Sequence, residues 1–245
     1  LTAAGILYFI FFGRVILPAK GTEEGSGPLS SVLAKTYGNI ANLFELHIPK
    51  DFKEQTLKAI DLRPNYFCTV VAIARADTGQ RVFAPVPDEL LKPGDVIAVV
   101  GPKEMVSIMA KDMGWELKEE LDCFAEDLSP NNAGIMEAIV TPRSQLTGHT
   151  LRNIEFRRRF GVNPLAIFRG GKLFVSGLSE LELMPGDALL LFGRWEKFHF
   201  LKEKPDFAFT EPVKGEIIST EKAKWALGCL AVSLIMILGF HVQLS

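Results

Sequence analysis

The hydrophobic positions divide the chain into two long apolar ends and a middle in which short apolar runs alternate with polar turns. Residues 225–245 form an uncharged run of 21 residues. About 20 helical residues suffice to cross the hydrocarbon core of a bilayer. Residues 1–17 have the same texture, with Arg14 as their one charge. The pattern predicts the end of a truncated transmembrane helix at 1–17 and the start of another at 225–245, with a buried core helix as the alternative for the second.

Basic residues flank both apolar ends on the side that faces the middle of the chain. Arg14 and Lys20 follow the first segment, and Lys222 and Lys224 precede the second. Positive charge accumulates on the cytoplasmic side of membrane segments. Residues 18–224 are therefore predicted to be the cytoplasmic part of a multi-pass protein of the cell membrane, and the chain to be a fragment of it. A signal peptide is the alternative for the first segment, but its charge would precede the apolar run.

The middle of the chain contains an internal repeat. TLKAIDLRPNY, from Thr56, matches TLRNIEFRRRF, from Thr150, at an offset of 94 residues. LKPGDVIAVVG, from Leu91, matches LMPGDALLLFG, from Leu183, at an offset of 92. Matches in the same order over such a length indicate a duplicated unit. The predicted organisation has a first domain at residues 43–116 and a second domain at residues 136–208. Linkers are predicted at residues 18–42, 117–135 and 209–224.

Each copy shows the same succession of patterns. An extended stretch precedes a short helix that starts near Thr56 or Thr150, three strands follow, and a helix closes the copy. The order β-α-β-β-β-α predicts an α+β fold, with one sheet and helices on a face. A Pro-Gly pair suits a type II turn before the third of these strands. The predicted structural turn residues are Pro93, Gly94, Asp95, Pro185, Gly186 and Asp187, with ligand contact as the alternative role of the two aspartates.

Composition excludes several classes of function. A net charge of −2 and a pI near 6.2 give no basic face for nucleic acid. The three cysteines lack paired spacing and the four histidines lack ligand spacing, which argues against a disulfide framework and a metal site. Nucleotide-binding P-loops, GxSxG elbows and CxxC motifs are absent from the sequence. We therefore expect no catalytic residues, no cofactor and no enzymatic activity.

The two copies resemble the TrkA-C (RCK-C) domain, the regulatory C-terminal domain of potassium-conductance regulators. The likeness lies in TLKAIDLRPNYFCTVVAIAR with LKPGDVIAVVG, and in TLRNIEFRRRFGVNPLAIFRGG with LMPGDALLLFG. Family copies usually have one glycine before the helix and another before the second strand. Copy two has both, Gly148 and Gly161, whereas copy one has Glu54 and Phe67. The turns or the ligand cleft of copy one are therefore expected to differ.

The surroundings of the repeats narrow the resemblance. A helix ending GILYFIFFGRVILP, two such domains and a new apolar segment are similar to the large cytoplasmic loop of the divalent anion:sodium symporter family, which includes sulfate and dicarboxylate carriers. The resemblance implies a ligand-sensing, dimerising regulatory region of a sodium-coupled anion transporter, in contact with its own transmembrane halves and forming a homodimer. The alternatives are a ligand-binding module of a potassium transport or cation antiport system, and a module that only assembles an oligomer.

Arginines are the candidate ligand-binding residues. A guanidinium forms charge-assisted hydrogen bonds with carboxylate, sulfate or phosphate groups. Copy two carries the densest positive cluster of the chain, and arginines recur at equivalent repeat positions. A solvated helix end is the alternative interpretation of the cluster. The candidates for a small anionic ligand or nucleotide are Arg63, Arg157, Arg158, Arg159 and Arg169.

Overall fold

The computed structural model describes residues 42–118, 120–210 and 213. Within these ranges no helix combines the length and the apolarity needed to cross a bilayer. Several predicted segments lie outside the described residues, wholly or nearly so: the transmembrane segments 1–17 and 225–245, and the linkers 18–42 and 209–224.

The first repeat forms a five-stranded sheet and a separate two-stranded ribbon, β2 with β5. The predicted order β-α-β-β-β-α is present, and the ribbon and a closing strand are added to it. In chain order the elements are β1 (Asn42–His47), β2 (Gln55–Thr56), α1 (Leu57–Ile60), α2 (Leu62–Tyr66), β3 (Thr69–Ala74), β4 (Arg81–Phe83), β5 (Leu90–Leu91), β6 (Val96–Gly101), α3 (Lys103–Met113) and β7 (Glu116–Lys118).

The second repeat forms a sheet of the same size. Turns replace the counterpart of α1, and a short 3₁₀ helix lies between the third and fourth strands of this repeat. Its elements are β8 (Ala133–Val140), α4 (Phe156–Phe160), β9 (Asn163–Arg169), β10 (Lys172–Phe174), a 3₁₀ helix (Leu178–Glu180), β11 (Ala188–Arg194), α5 (Trp195–Lys202) and β12 (Phe207–Phe209).

The two sheets have the same topology. Their strand orders are β4-β3-β6-β1-β7 and β10-β9-β11-β8-β12, which correspond strand for strand. All neighbouring strands are antiparallel. Each sheet also has one irregularity, at Val71 and at its repeat equivalent Leu165, where the pairing register shifts. A duplication that reproduces even a bulge supports the repeat found in the sequence.

Local interactions define the start of each helical segment. The Thr56 hydroxyl accepts a hydrogen bond from the backbone N–H of Ala59 at 3.2 Å, which is an N-cap. Thr150 makes the equivalent bond at 3.1 Å, although turns follow it. The glycine that ends α4, Gly161, has φ +68°. Its counterpart Phe67 has φ +55°, so copy one keeps the left-handed backbone without the residue that favours it.

The Pro-Gly-Asp turns have the geometry that the sequence predicts. Gly94 and Gly186 have φ of +78° and +85°, as a type II turn requires. The carboxylates of Asp95 and Asp187 are both 1% exposed. Each accepts the backbone N–H three residues earlier, at 3.0 and 2.8 Å respectively. These buried carboxylates hold the turns in place from inside.

Each sheet is covered on both faces. One face packs against the helices of its own repeat and forms a separate core there. The other faces of the two sheets pack together and form a third, shared core. Because of the bulge, consecutive side chains such as Val71 and Ala72 both contribute to this shared core. Phe124 and Leu128, from the segment that joins the repeats, are buried in it as well.

Candidate functional site

A cavity of about 400 Å³ lies between the two domains, and we call it the interdomain cleft. The first domain lines it with residues of α1, α2, the start of β3 and residues 86–88. The second domain contributes residues from 151–158, Pro164 and residues 177–179. Largely equivalent segments of the two repeats thus form the two halves of the cleft.

Two equivalent arginines meet in the interdomain cleft. Arg63 is the second residue of α2 and Arg157 the second residue of α4. The residue before each of them, Leu62 or Phe156, is buried in its domain core and fixes the short helix against the sheet. Both arginine side chains are half-buried. The packing of the two domains therefore brings two like charges together.

Each of these guanidinium groups reaches across to the other domain. Arg63 Nη2 donates to the carbonyl oxygen of Pro164 at 2.6 Å, and Arg157 Nη1 donates to the carbonyl oxygen of Pro85 at 2.9 Å. Arg63 Nη2 also lies 2.5 Å from the hydroxyl oxygen of Thr69 in its own domain. Neither guanidinium forms an ion pair with a described residue. Their hydrogen bonds are satisfied in part, but their charges are not neutralised.

The surroundings disfavour the charged form of both groups. Burial, and after it repulsion from Arg157, lowers the pKa of Arg63 to about 9. Burial lowers the pKa of Arg157 to about 10. Both groups still carry a proton at neutral pH, at a free-energy cost. An anion placed between them would offset this cost, because opposite charge favours the protonated form.

The walls of the interdomain cleft carry further charge. It is lined by five basic and three acidic side chains, a surplus of two positive charges. The acidic residues Asp61 and Glu155 occupy equivalent positions, and both have φ +49°, a left-handed conformation that is strained for side chains other than glycine. The basic residues Lys58 and Arg152 are equivalent as well. The lining also includes apolar residues, and a cavity of this size accommodates a small organic anion.

The sequence-predicted arginines divide into two groups. Arg63, Arg157 and Arg158 line the interdomain cleft. Arg159 does not, and its guanidinium carbon lies 5.2 Å from the centre of its neighbour's ring, that of Phe160. Arg169 also lies outside the cleft lining.

Arg169 forms two hydrogen bonds of 2.6 Å with the buried carboxylate of Asp187. The pKa of Arg169 is raised by this pairing. The equivalent pair in the first domain is Arg75 with Asp95, at 2.7 Å. These pairs connect the end of one strand to the turn before another, and their charges are neutralised within each domain. These two pairs stabilise the fold of each domain. Because Arg75 and Arg169 are engaged with their carboxylates, neither guanidinium is available to the cleft.

Sequence reasoning missed the acceptors that hold the two central arginines. These are Thr69 and the carbonyl groups of Pro85 and Pro164. Carbonyl acceptors carry no side-chain signature, so no motif could indicate them. Thr69 could have been found by comparing the two repeats. It follows Arg63 by six residues, and a polar residue, Asn163, follows Arg157 by the same number.

The interdomain cleft holds no evident reactive group. Burial raises the pKa of the Cys68 thiol to about 12, so the sulfur stays protonated at neutral pH. Its Sγ lies 3.1 Å from the carbonyl oxygen of Tyr66. Across the described ranges, no group of three or more His, Cys, Asp or Glu is placed to hold a metal ion. The arrangement is suited to binding an anion.

Comparison with known families identifies the repeats. The model of the TrkA-C domain matches residues 43–113 and 135–203, which together make up more than half of the chain. The chain belongs to the TrkA-C domain family. The resemblance stated from the sequence, two tandem TrkA-C domains of the kind found with divalent anion:sodium symporters, is confirmed by this match and by the transporters among its relatives.

Two curated relatives are transporters. An uncharacterized transporter of Synechocystis is 26% identical over 96% of this chain and 38% of its own length. Sodium/sulfate cotransporter 1 of Chlamydomonas reinhardtii is 32% identical over 76% of this chain and 21% of its own length. The chain thus spans well under half of either relative.

A solved structure of the RCK C domain of the potassium transport protein KtrA, in complex with cyclic diadenosine monophosphate, is also similar. It is 23% identical and covers 31% of this chain and 87% of that one, with a TM-score of 0.28.

Proposed function

We propose that this chain is the regulatory region of a sodium-coupled anion transporter and that its tandem TrkA-C domains sense a small anionic ligand in the interdomain cleft. The observation that carries the proposal is the pair Arg63 and Arg157. Two half-buried guanidinium groups with lowered pKa values converge there, and no described carboxylate neutralises them. Buried charges are ordinarily paired. The missing counter-charge is the ligand.

The fold offers a route from the interdomain cleft to the rest of the protein. The chain enters the described region through β1 of the first sheet and leaves it through β12, an edge strand of the second sheet. A ligand that contacts both halves of the cleft favours one relative orientation of the two sheets. Such a change moves the entry and exit points of the chain relative to each other. The apolar segments beyond them would transmit it to the membrane halves of the transporter.

Pairing within one chain supports a self-contained sensor. The shared core contains residues from both sheets and from the connecting segment, so both halves of the cleft come from the same chain. A homodimer of the transporter would then carry two complete clefts. The alternative, a module that only assembles the protein, is favoured by the same core and by the arginine hydrogen bonds across the interface. The two functions differ in whether an anion binds.

The experiment is a binding screen on the 245-residue chain. Sulfate, phosphate, succinate and a cyclic dinucleotide would be titrated against wild type and against R63Q, R157Q and the double variant. R143Q is the control, because Arg143 is exposed and does not line the cleft. We expect at least one anion to bind wild type and R143Q, and not the double variant. If no anion bound wild type, or if the double variant bound as well as wild type, sensing in the cleft would be refuted.

A second measurement concerns the transporter. Residues 42–210 would be deleted from the full-length protein, and sodium-coupled anion uptake would be followed as the binding anion is varied. The proposal predicts that uptake by the intact protein responds to this anion independently of its role as substrate, and that the deletion removes the response. An identical response with and without the domains would contradict a regulatory role.

A further inference from the structure

The two central arginines are equivalent by sequence but differ in their contacts. Arg63 donates to an acceptor in each domain, with Nη2 lying 2.5 Å from Thr69 Oγ1 and 2.6 Å from the carbonyl oxygen of Pro164. The first bond ties the side chain to its own strand β3, and the second ties it to β9 of the other domain. Arg63 thus clamps the two sheets together at the cleft.

Arg157 lacks the bond to its own strand. The residue equivalent to Thr69 is Asn163, which is 1% exposed. The Oδ1 atom of Asn163 is buried and has no hydrogen-bond partner among the described residues. Arg157 instead makes one bond, 2.9 Å long, to the carbonyl oxygen of Pro85. A guanidinium has five N–H donors, so most of the donors of Arg157 have no acceptor among the described residues.

The charge around Arg157 differs from that around Arg63 as well. The next residue is Arg158 in copy two and Pro64 in copy one, and both line the cleft. The remaining charged positions are matched between the two halves, as in Lys58 with Arg152 and Asp61 with Glu155. Asp88 lines the first half, and its counterpart in the second domain is Glu180.

The acidic partners of the second half do not cancel this difference. Arg158 Nη1 lies 2.8 Å from Glu155, and Arg152 pairs with Glu180, but all four side chains are about 60% exposed. Exposed ion pairs of this kind are weak and exchange readily with other anions. One extra positive charge therefore remains on the side of the second domain, next to the less restrained guanidinium.

We infer that the two equivalent arginines have taken different roles, with Arg63 as the clamp between the domains and Arg157, assisted by Arg158, as the receptor for the ligand's anionic group. The inference rests on the proposed function. It specifies one ligand per chain, which presents one phosphate, sulfate or carboxylate group to the second domain. A two-fold symmetric ligand that contacts both arginines equally does not fit this arrangement.

Isothermal titration of the 245-residue chain with inorganic phosphate, and separately with sulfate, tests the inference. Loss of charged hydrogen bonds in R157Q should weaken binding by about tenfold or more. The R158Q variant should lose about threefold, as expected for an exposed charge. R63Q should lose less affinity than R157Q but show the larger fall in melting temperature. The control R143Q should match wild type in both measurements.

The outcomes separate this inference from the proposed function. Equal losses of affinity in R63Q and R157Q, or two anions bound per chain, would overturn the division of roles while leaving anion sensing in place. Absence of binding to wild type would overturn both. If R63Q did not fold, the comparison of R63K with R157K replaces it, because lysine keeps the charge and loses the multiple donors. Equal effects of these two lysine variants would likewise refute the inference.

Discussion

Phe124 offers a quantitative test of whether the two repeats form one cooperative unit. Its side chain is 0% exposed and lies in the shared core between the two sheets. Its backbone N–H donates to Oε2 of the buried Glu45 at 3.3 Å, which fixes the connecting segment to β1. The change Phe124→Ala therefore removes an aromatic ring from the interface without altering the helix-side core of either domain.

The expected cost follows from the burial. Truncation of a fully buried phenylalanine to alanine costs about 3–5 kcal/mol, through lost burial and the cavity left behind. For a domain of this size, each kcal/mol lowers the melting temperature by about 2–4 °C, so the fall should be roughly 6–20 °C. The control is Phe200→Ala. Phe200 is 45% exposed, and its truncation should cost well under half as much.

Two tryptophans allow each domain to be followed during unfolding. Trp115 belongs to the core of the first domain and Trp195 to that of the second. Urea unfolding would be monitored by fluorescence in W115F and W195F backgrounds, each with Trp225 also replaced by Phe. In otherwise wild-type protein we expect both reporters to change together, and in F124A we expect two separate transitions. Separate transitions already in the wild type, or equal costs for F124A and F200A, would refute a shared core.

The remaining predictions concern the cleft and its supports. Thr69→Ala should lower the free energy of unfolding in urea by about 1.5–3 kcal/mol, because it removes the hydrogen bond from the charged Arg63. Asn163→Ala should cost less, because Oδ1 of Asn163 has no partner among the described residues; equal costs for the two variants would contradict this. Anion affinity should be constant below about pH 9 and fall as the pH rises through the pKa values of Arg63 and Arg157, near 9 and 10; calorimetry at several pH values measures it. Because of these lowered pKa values, the folded state releases the two protons at a lower pH than the unfolded state does. The free energy of unfolding of wild type relative to R63Q/R157Q should therefore rise as the pH rises through the same window. Asp95→Ala removes the buried carboxylate that pairs with Arg75, which keeps only the more exposed Glu89 as ion-pair partner, and leaves the backbone N–H groups of Ala76 and Lys92 without their acceptor. It should cost about 3–5 kcal/mol by urea unfolding; a cost below 1 kcal/mol would contradict its role.

Much of the architecture could be predicted from the sequence, because the duplication imposes one pattern twice. The order of elements, the helix start near Thr56 and the Pro-Gly turns all have local signatures. The bulges at Val71 and Leu165 had none, since both residues belong to continuous apolar runs. Apart from Thr69, strand β3 is apolar, and it is buried throughout, which is typical of a sheet covered on both faces.

The candidate site was predicted only in part. Arg63, Arg157 and Arg158 could be selected by charge and by repeat position, but their convergence depends on how the two sheets pack. Arg169 has the same charge and an equally regular repeat position, and it is committed to Asp187. Sequence alone could not separate these cases, because the distinction lies in whether a carboxylate from a distant turn reaches the guanidinium.

Hydrogen–deuterium exchange with and without the binding anion tests the central claim most directly, because it locates the ligand on the chain. The account predicts slower exchange in residues 57–64 and in residues 151–158, the facing segments of the two repeats. Exchange in α3, which contributes no residue to the cleft, should stay unchanged. Protection absent from residues 151–158, or absent from both segments while the anion is bound, would contradict an anion held in the interdomain cleft.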